Sequence, residues 1–168
     1  MGIEKTLKRA EVFLGLDDSE LDKIAALPSS REDAYHAEEF IFRAGDEAKY
    51  LYVLKEGEVD LVAEVLPWSE PETKQIVVDR ITKGGFFGWS ALVRPHFYVM
   101  SAICKKPCTV AVIRGVELLA LFDQDPHLGY KVLQSLCRII GARLRDIEQL
   151  LIRGERWPFF EKRKSAGV

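Results

Sequence analysis

Between residues 40 and 114, short runs of alternating apolar and polar residues are cut repeatedly by turn signals. This punctuation constrains the fold more than any other feature of the chain. The stretch EEFIFRAGDEAKYLYVLKEGEVDLVAEV predicts three strands, at 40–43, 50–54 and 59–65. AGD at 44–46 and KEGE at 55–58 separate them, each with a glycine where positive φ is tolerated. The loop LPWSEPE follows, its two prolines arguing against a central strand. KQIVVDRIT resumes as a strand, and YVMSAICK and CTVAVIR read as a hairpin-like pair. Many short strands separated by glycine turns imply an antiparallel sandwich or barrel.

Both ends of the chain switch to helical period. Leu7, Ala10, Phe13 and Leu14 predict a first short helix over 4–13. DDSELDKIAAL predicts a second, with an acidic N-cap region, an apolar stripe of Leu21, Ile24, Ala25 and Leu27, and Pro28 as its stop. After the strands, VELLALFDQDP predicts a short helix, and Pro126 opens a longer one. Along that longer helix Leu133, Leu136, Ile140, Leu144, Ile147 and Leu151 recur every three or four residues, close to a heptad seam. We expect this stripe to form a homodimer helix; the alternative is that it covers the β core of its own chain. The expected organisation is a helical segment at 1–28, a β unit at 29–114, C-terminal helices at 115–152 and a basic, aromatic tail at 153–168.

Composition narrows the function classes. The chain is 48% hydrophobic and 30% charged, enough for a packed core, and its net charge of −2 gives no basic field for nucleic acid or anionic membrane. No apolar run predicts a signal peptide or membrane span. MGIEKT fits the loose N-myristoylation pattern, a short match that carries little weight. Three cysteines, Cys104, Cys108 and Cys137, form an odd set without a secretion signal and predict structural thiols in a reducing cytoplasm. Neither they nor His36, His96 and His127 have metal-ligand spacing, so no metal site is expected.

The segment GGFFGWSALVRPHFYVMSA, residues 84–102, reads as a strand entering a tight turn and one turn of helix. Such geometry is suited to holding an anion on backbone N–H groups. Taken with GLDDSELDKIAAL, FIFRAGDEAKYLYVLKEGEVDLV and SAICKKPCTVAVI, it resembles the cyclic-nucleotide-binding domain of Crp/Fnr-type regulators, from about residue 12 to residue 151. Gly45, Gly57, Gly84 and Gly88 fall in the order and spacing of that family. The resemblance implies a mainly β fold: an antiparallel jelly roll, of the double-stranded β-helix kind, with N-terminal helices and a long C-terminal dimer helix.

The resemblance also makes residues 84–102 a phosphate-binding cassette. In the family a glutamate follows the glycine and holds the ribose, and an arginine before Ser-Ala holds the cyclic phosphate. Here Gly88, Ser101 and Ala102 match, but Trp89 stands at the glutamate position and Met100 at the arginine position. Charged hydrogen bonds contribute about 1.5–3 kcal/mol each. Losing two removes about 3–6 kcal/mol, on the order of 10² to 10⁴ in affinity. The cassette still offers backbone N–H groups from Gly88 to Ala91, the hydroxyls of Ser90 and Ser101, and the Trp89 ring. Arg94 and His96 are candidate displaced cations. The alternative is that Trp89 and Met100 fill the pocket as core and leave Arg94 and His96 solvated.

The expected function is a stand-alone, non-enzymatic regulatory module, a sensor of a cyclic nucleotide bound atypically or of another small anionic metabolite, relaying its state to an unidentified partner protein. No cofactor is assigned. The alternative is a ligand-free interaction or scaffold protein of the same fold. A remote alternative is a serine hydrolase using Ser90 in Gly88-Trp89-Ser90-Ala91-Leu92, disfavoured because the surrounding chain lacks strand–helix alternation. Relatives place a helix-turn-helix after the dimer helix. Residues 153–168 are too few for one, so no direct DNA binding is expected.

Overall fold

The computed structural model describes residues 2–65 and 73–152. The predicted polar loop at 66–72 and the tail at 153–168 lie outside the described residues. Among the described residues, eight strands form two four-stranded antiparallel sheets. They are β1 (Arg31–Tyr35), β2 (Phe40–Phe42), β3 (Tyr50–Glu56), β4 (Val59–Val65), β5 (Lys74–Ile81), β6 (Phe86–Phe87), β7 (Ser101–Cys104) and β8 (Cys108–Arg114). One sheet has the order β1-β8-β3-β6 and the other β2-β7-β4-β5. This is the expected antiparallel jelly roll. Helices α1 (Glu4–Lys8), α2 (Asp18–Ala25), α3 (Gly115–Gln124) and α4 (Pro126–Ile152) flank it.

The period-two rule explains why β3 and β8 are apolar at nearly every position. Tyr52, Leu54, Val110 and Val112 point between the sheets, where they meet Val59, Leu61, Ile81 and Phe87. Leu51, Val53, Ala111 and Ile113 point the other way, into a second core with Phe13, Ile24, Leu118 and Leu128 from the helical segments. The first sheet is therefore buried on both faces. The doublet Phe86–Phe87 divides in the same way, one ring to each core.

Two expectations need correction here. β1, with the sequence REDAY, was absent from the predicted strands because its charged alternation carries little apolar signal. It forms because its backbone pairs with β8 from Arg31↔Val112 to Tyr35↔Cys108. The predicted first helix over 4–13 breaks after Lys8: Ala10 is extended, and Glu11–Phe13 form a 3-10 turn. The Glu11 N–H donates to the Gly84 carbonyl at 3.0 Å instead of to the preceding helical turn. Leu14, expected on the apolar stripe, is left exposed.

Helix α2 begins as its acidic start implies. Asp17 Oδ1 accepts from the Glu20 N–H and Glu20 Oε2 accepts from the Asp17 N–H, both at 2.9 Å, a reciprocal capping box. Glu20 also receives Lys131 Nζ of α4 at 2.8 Å, which ties the N-terminal helices to the long one. Lys131 and the Asp17 N–H hold the Glu20 carboxyl below the ordinary 4.5. A carboxylate whose pKa falls on folding stabilises above its unfolded value and loses that contribution as pH drops through the folded one. The melting temperature should therefore fall as pH is taken below about 4.5, and Glu20→Gln should make that fall shallower. Circular-dichroism melts of both proteins from neutral to acid pH would check it; parallel profiles would remove Glu20 from the acid response.

Candidate functional site

The cassette starts where β6 ends. Gly88 adopts φ 78° and caps a 3-10 turn over Trp89–Leu92. A Cβ at Gly88 would lie 2.8 Å from the Tyr50 carbonyl and 2.9 Å from the Tyr52 ring, so both sterics and backbone angle require glycine. Residues 93–100 then loop out and return as β7. The loop is tied to the 44–48 turn: the Gly45 N–H donates to Tyr98 O at 2.8 Å, Ala48 N–H to His96 O at 2.7 Å, and Tyr98 N–H to Asp46 O at 3.0 Å.

The structure brings Gly88, Trp89, Ser90 and Met100 around one hollow, together with Phe42 and Leu61. The hollow holds about 50 Å³. Small-molecule sites usually run about 300–1,000 Å³, so this one is several-fold too small for a nucleotide. Trp89 is half-buried and packs toward the helix-side core, while Met100 packs against the core between the sheets. Ala91 and Ala102 are buried. Ser101 Oγ accepts the Ala44 N–H at 2.9 Å, which commits it to the 44–48 turn.

Arg94 is exposed, and the His96 ring reaches the Ser90 carbonyl at 3.3 Å. That contact goes to the Ser90 main chain, and among the described residues no base is hydrogen-bonded to the Ser90 hydroxyl. The geometry gives the hydrolase alternative no activated nucleophile. Among the described residues no group of three or more His, Cys, Asp or Glu side chains is placed to hold a metal ion.

One wall of the hollow is a group that sequence reasoning did not single out. Tyr98 is 5% exposed and stacks on Phe42 with ring centroids 3.7 Å apart. Its hydroxyl donates to the Tyr50 carbonyl at 2.7 Å and accepts the Tyr50 N–H at 3.2 Å. Tyr52 and Phe87 stack behind it at 5.2 Å. Burial pushes the Tyr98 and Tyr52 phenols above their ordinary value, so both stay neutral. The cassette is thus lined mostly by aromatic and aliphatic groups, with no cation among the described residues on its wall. A signal did exist in the sequence: an aromatic doublet, Phe97–Tyr98, inside a loop. Val93, Phe97 and Val99 on the same loop are exposed.

The long helix has two apolar faces. Leu128, Val132, Leu136 and Ile139 pack into the chain's own core. Leu136, expected in the dimer seam, is only 4% exposed and belongs to this inner face. Tyr130, Leu133 and Leu144 face outward, 64%, 42% and 51% exposed, with half-buried Ile140 between the faces. The side chains of Ile147 and Leu151 lie outside the described residues. No described helix is long and apolar enough to cross a membrane.

Comparison with known proteins agrees with this fold. The profile of the cyclic nucleotide-binding domain matches residues 32–125. A solved Geobacter metallireducens GS-15 protein, named as a candidate cyclic nucleotide-binding protein, is 28% identical. The alignment covers 86% of this chain and 99% of that one, with a TM-score of 0.68. A cyclic nucleotide-binding domain from Methylobacillus flagellatus KT superposes with a TM-score of 0.77 at 19% identity, over 95% of this chain and 89% of that one. The cGMP-dependent protein kinase egl-4 of Caenorhabditis elegans is 25% identical over 139 residues, 83% of this chain; the match spans 16% of the kinase's length.

Proposed function

The chain belongs to the cyclic nucleotide-binding domain family, and from that membership we propose that it is a regulatory module acting through protein contacts, its cassette closed by its own side chains. One observation carries this reading: the cassette hollow is only about 50 Å³, walled by Phe42, Trp89, Met100 and a Tyr98 whose hydroxyl is clasped to the Tyr50 backbone. The family's frame is kept at Gly88, Ser101 and Ala102, while both charged anchor positions are apolar. The module carries no catalytic step. Its outward α4 face, Tyr130, Leu133 and Leu144, pairs with a second copy and leaves the remaining surface to a partner protein. Cys104, Cys108 and Cys137 as free thiols accord with a cytoplasmic setting.

The ligand sensor expected from the sequence makes a different thermal prediction. A cyclic nucleotide at 100 times its Kd would add about 2.7 kcal/mol to stability. Millimolar cAMP or cGMP is expected to leave the melting temperature unchanged. It should also leave the tryptophan emission of the wild-type protein unchanged through the titration, as it leaves that of a Trp89→Phe control. A melting shift corresponding to that stabilisation would restore the sensor reading.

A further inference from the structure

Two larger hollows lie away from the cassette, around the turn that follows β5. One, of about 320 Å³, opens between α1 and the end of β3, with Lys5, Arg9, Lys55 and Lys83 on its wall. A second, of about 340 Å³, adjoins it and shares Arg9, Lys83 and Gly84. Both are within the size range of small-molecule sites, unlike the cassette.

The charge balance around Arg9 and Lys83 is uneven. Glu32 is occupied by Thr6 Oγ1 at 2.8 Å and Lys55 Nζ at 2.7 Å. In the second hollow Arg143 of α4 engages Glu11 at 3.4 Å and Asp79 at 3.6 Å. Arg80 is taken by the buried Asp60, at 2.7 and 3.0 Å. Among the described residues Arg9 and Lys83 carry no ion pair, and both are exposed. Glu56 is the carboxylate on the first wall that has no ion pair among the described residues.

The frame under these cations is rigid. The Gly84 N–H donates to Leu54 O at 2.8 Å, and the Leu54 N–H donates to Gly85 O at 2.9 Å. The Glu11 N–H donates to Gly84 O at 3.0 Å, so the 3-10 turn after α1, β3 and the 82–85 turn are clamped at one point. A Cβ on Gly84 would come within 2.8 Å of Arg9 O, which is why α1 can approach so closely. Leu54 and Thr6 supply the buried part of the lining. The clamp fixes the main chain that carries the two unpaired cations, so an arriving anion has only their side chains to order.

We propose that this groove, with Arg9 and Lys83 at its centre and Lys5 and Lys55 on its wall, binds a phosphate-bearing small molecule, giving the module a ligand site separate from the closed cassette. Arginine forks and lysine point charges are the side chains that recognise phosphate oxygens. The proposal goes beyond the closed-cassette reading, and the two fail separately, since one is tested with cyclic nucleotides and the other with pyrophosphate. Isothermal titration of the full chain with pyrophosphate should show saturable binding that weakens as salt is raised. Arg9→Gln and Lys83→Gln should each raise Kd, and together by about tenfold or more. Lys49→Gln, at the opposite end of β3, removes the same charge and should leave Kd unchanged. Circular dichroism of each variant confirms the fold, and either single variant suffices if the pair does not fold. Absence of binding, or equal weakening by Lys49→Gln, overturns the site.

Discussion

Tyr98→Ala is expected to lower the unfolding free energy by about 3–5 kcal/mol, the range for removing a large buried aromatic ring. The reason is where the ring sits. It is stacked on Phe42 at 3.7 Å, in contact with the core between the sheets, and its hydroxyl serves both backbone groups of Tyr50. Deleting it leaves a cavity and also leaves the Tyr50 main chain short of partners. Tyr98→Phe keeps the ring and should cost only about 1–3 kcal/mol, the worth of two hydrogen bonds at about 0.5–1.5 kcal/mol each. Urea unfolding of the three proteins measures both terms. The functional consequence follows from the same geometry. Removing the ring enlarges the hollow but adds no charge, because Trp89 and Met100 still stand at the anchor positions. Tyr98→Ala should therefore remain indifferent to cAMP and cGMP. A cost near that of Tyr98→Phe would mean that Tyr98 is not the residue holding the cassette shut.

Local chemistry was readable from the sequence wherever it agreed with the tertiary environment. The acidic start of α2 became a capping box, Pro126 opened α4, and the alternation of β4 matched its strand from Val59 to Val65. The failures occur where a distant partner decides. β1 is specified by β8, and the break after Lys8 by the carbonyl of Gly84, more than seventy residues away. Leu136 looked like part of a seam because α4 carries two apolar faces about a third of a turn apart, and a list of leucines does not separate them. The cassette shows the same division. Its missing charges at Trp89 and Met100 were visible by position. That Tyr98 walls the hollow depends on the loop's hydrogen bonds to the 44–48 turn, which no spacing rule encodes.

The two faces of α4 give the other large effect. Tyr130, Leu133, Cys137, Ile140 and Leu144 follow one another at intervals of three and four residues, the period of a coiled-coil seam. Tyr130, Leu133 and Leu144 are exposed, so in a monomer they hold apolar surface in water. Burying such side chains fully is worth about 1.5–3 kcal/mol each, and two helices supply them in pairs. Introducing lysine at both Leu133 and Leu144 puts four like charges into that seam and should convert a dimer to a monomer in sedimentation velocity. The same two changes should leave the fold intact, because neither side chain belongs to the chain's own core. Leu136→Ala tests the opposite face: it should cost about 2–5 kcal/mol of stability and leave the protein dimeric. Cys137 lies on the outward stripe, and a thiol crosslink between copies through it would report the seam independently. A wild-type chain that sediments as a monomer at high micromolar concentration would remove self-association from the function and leave this face to a different protein.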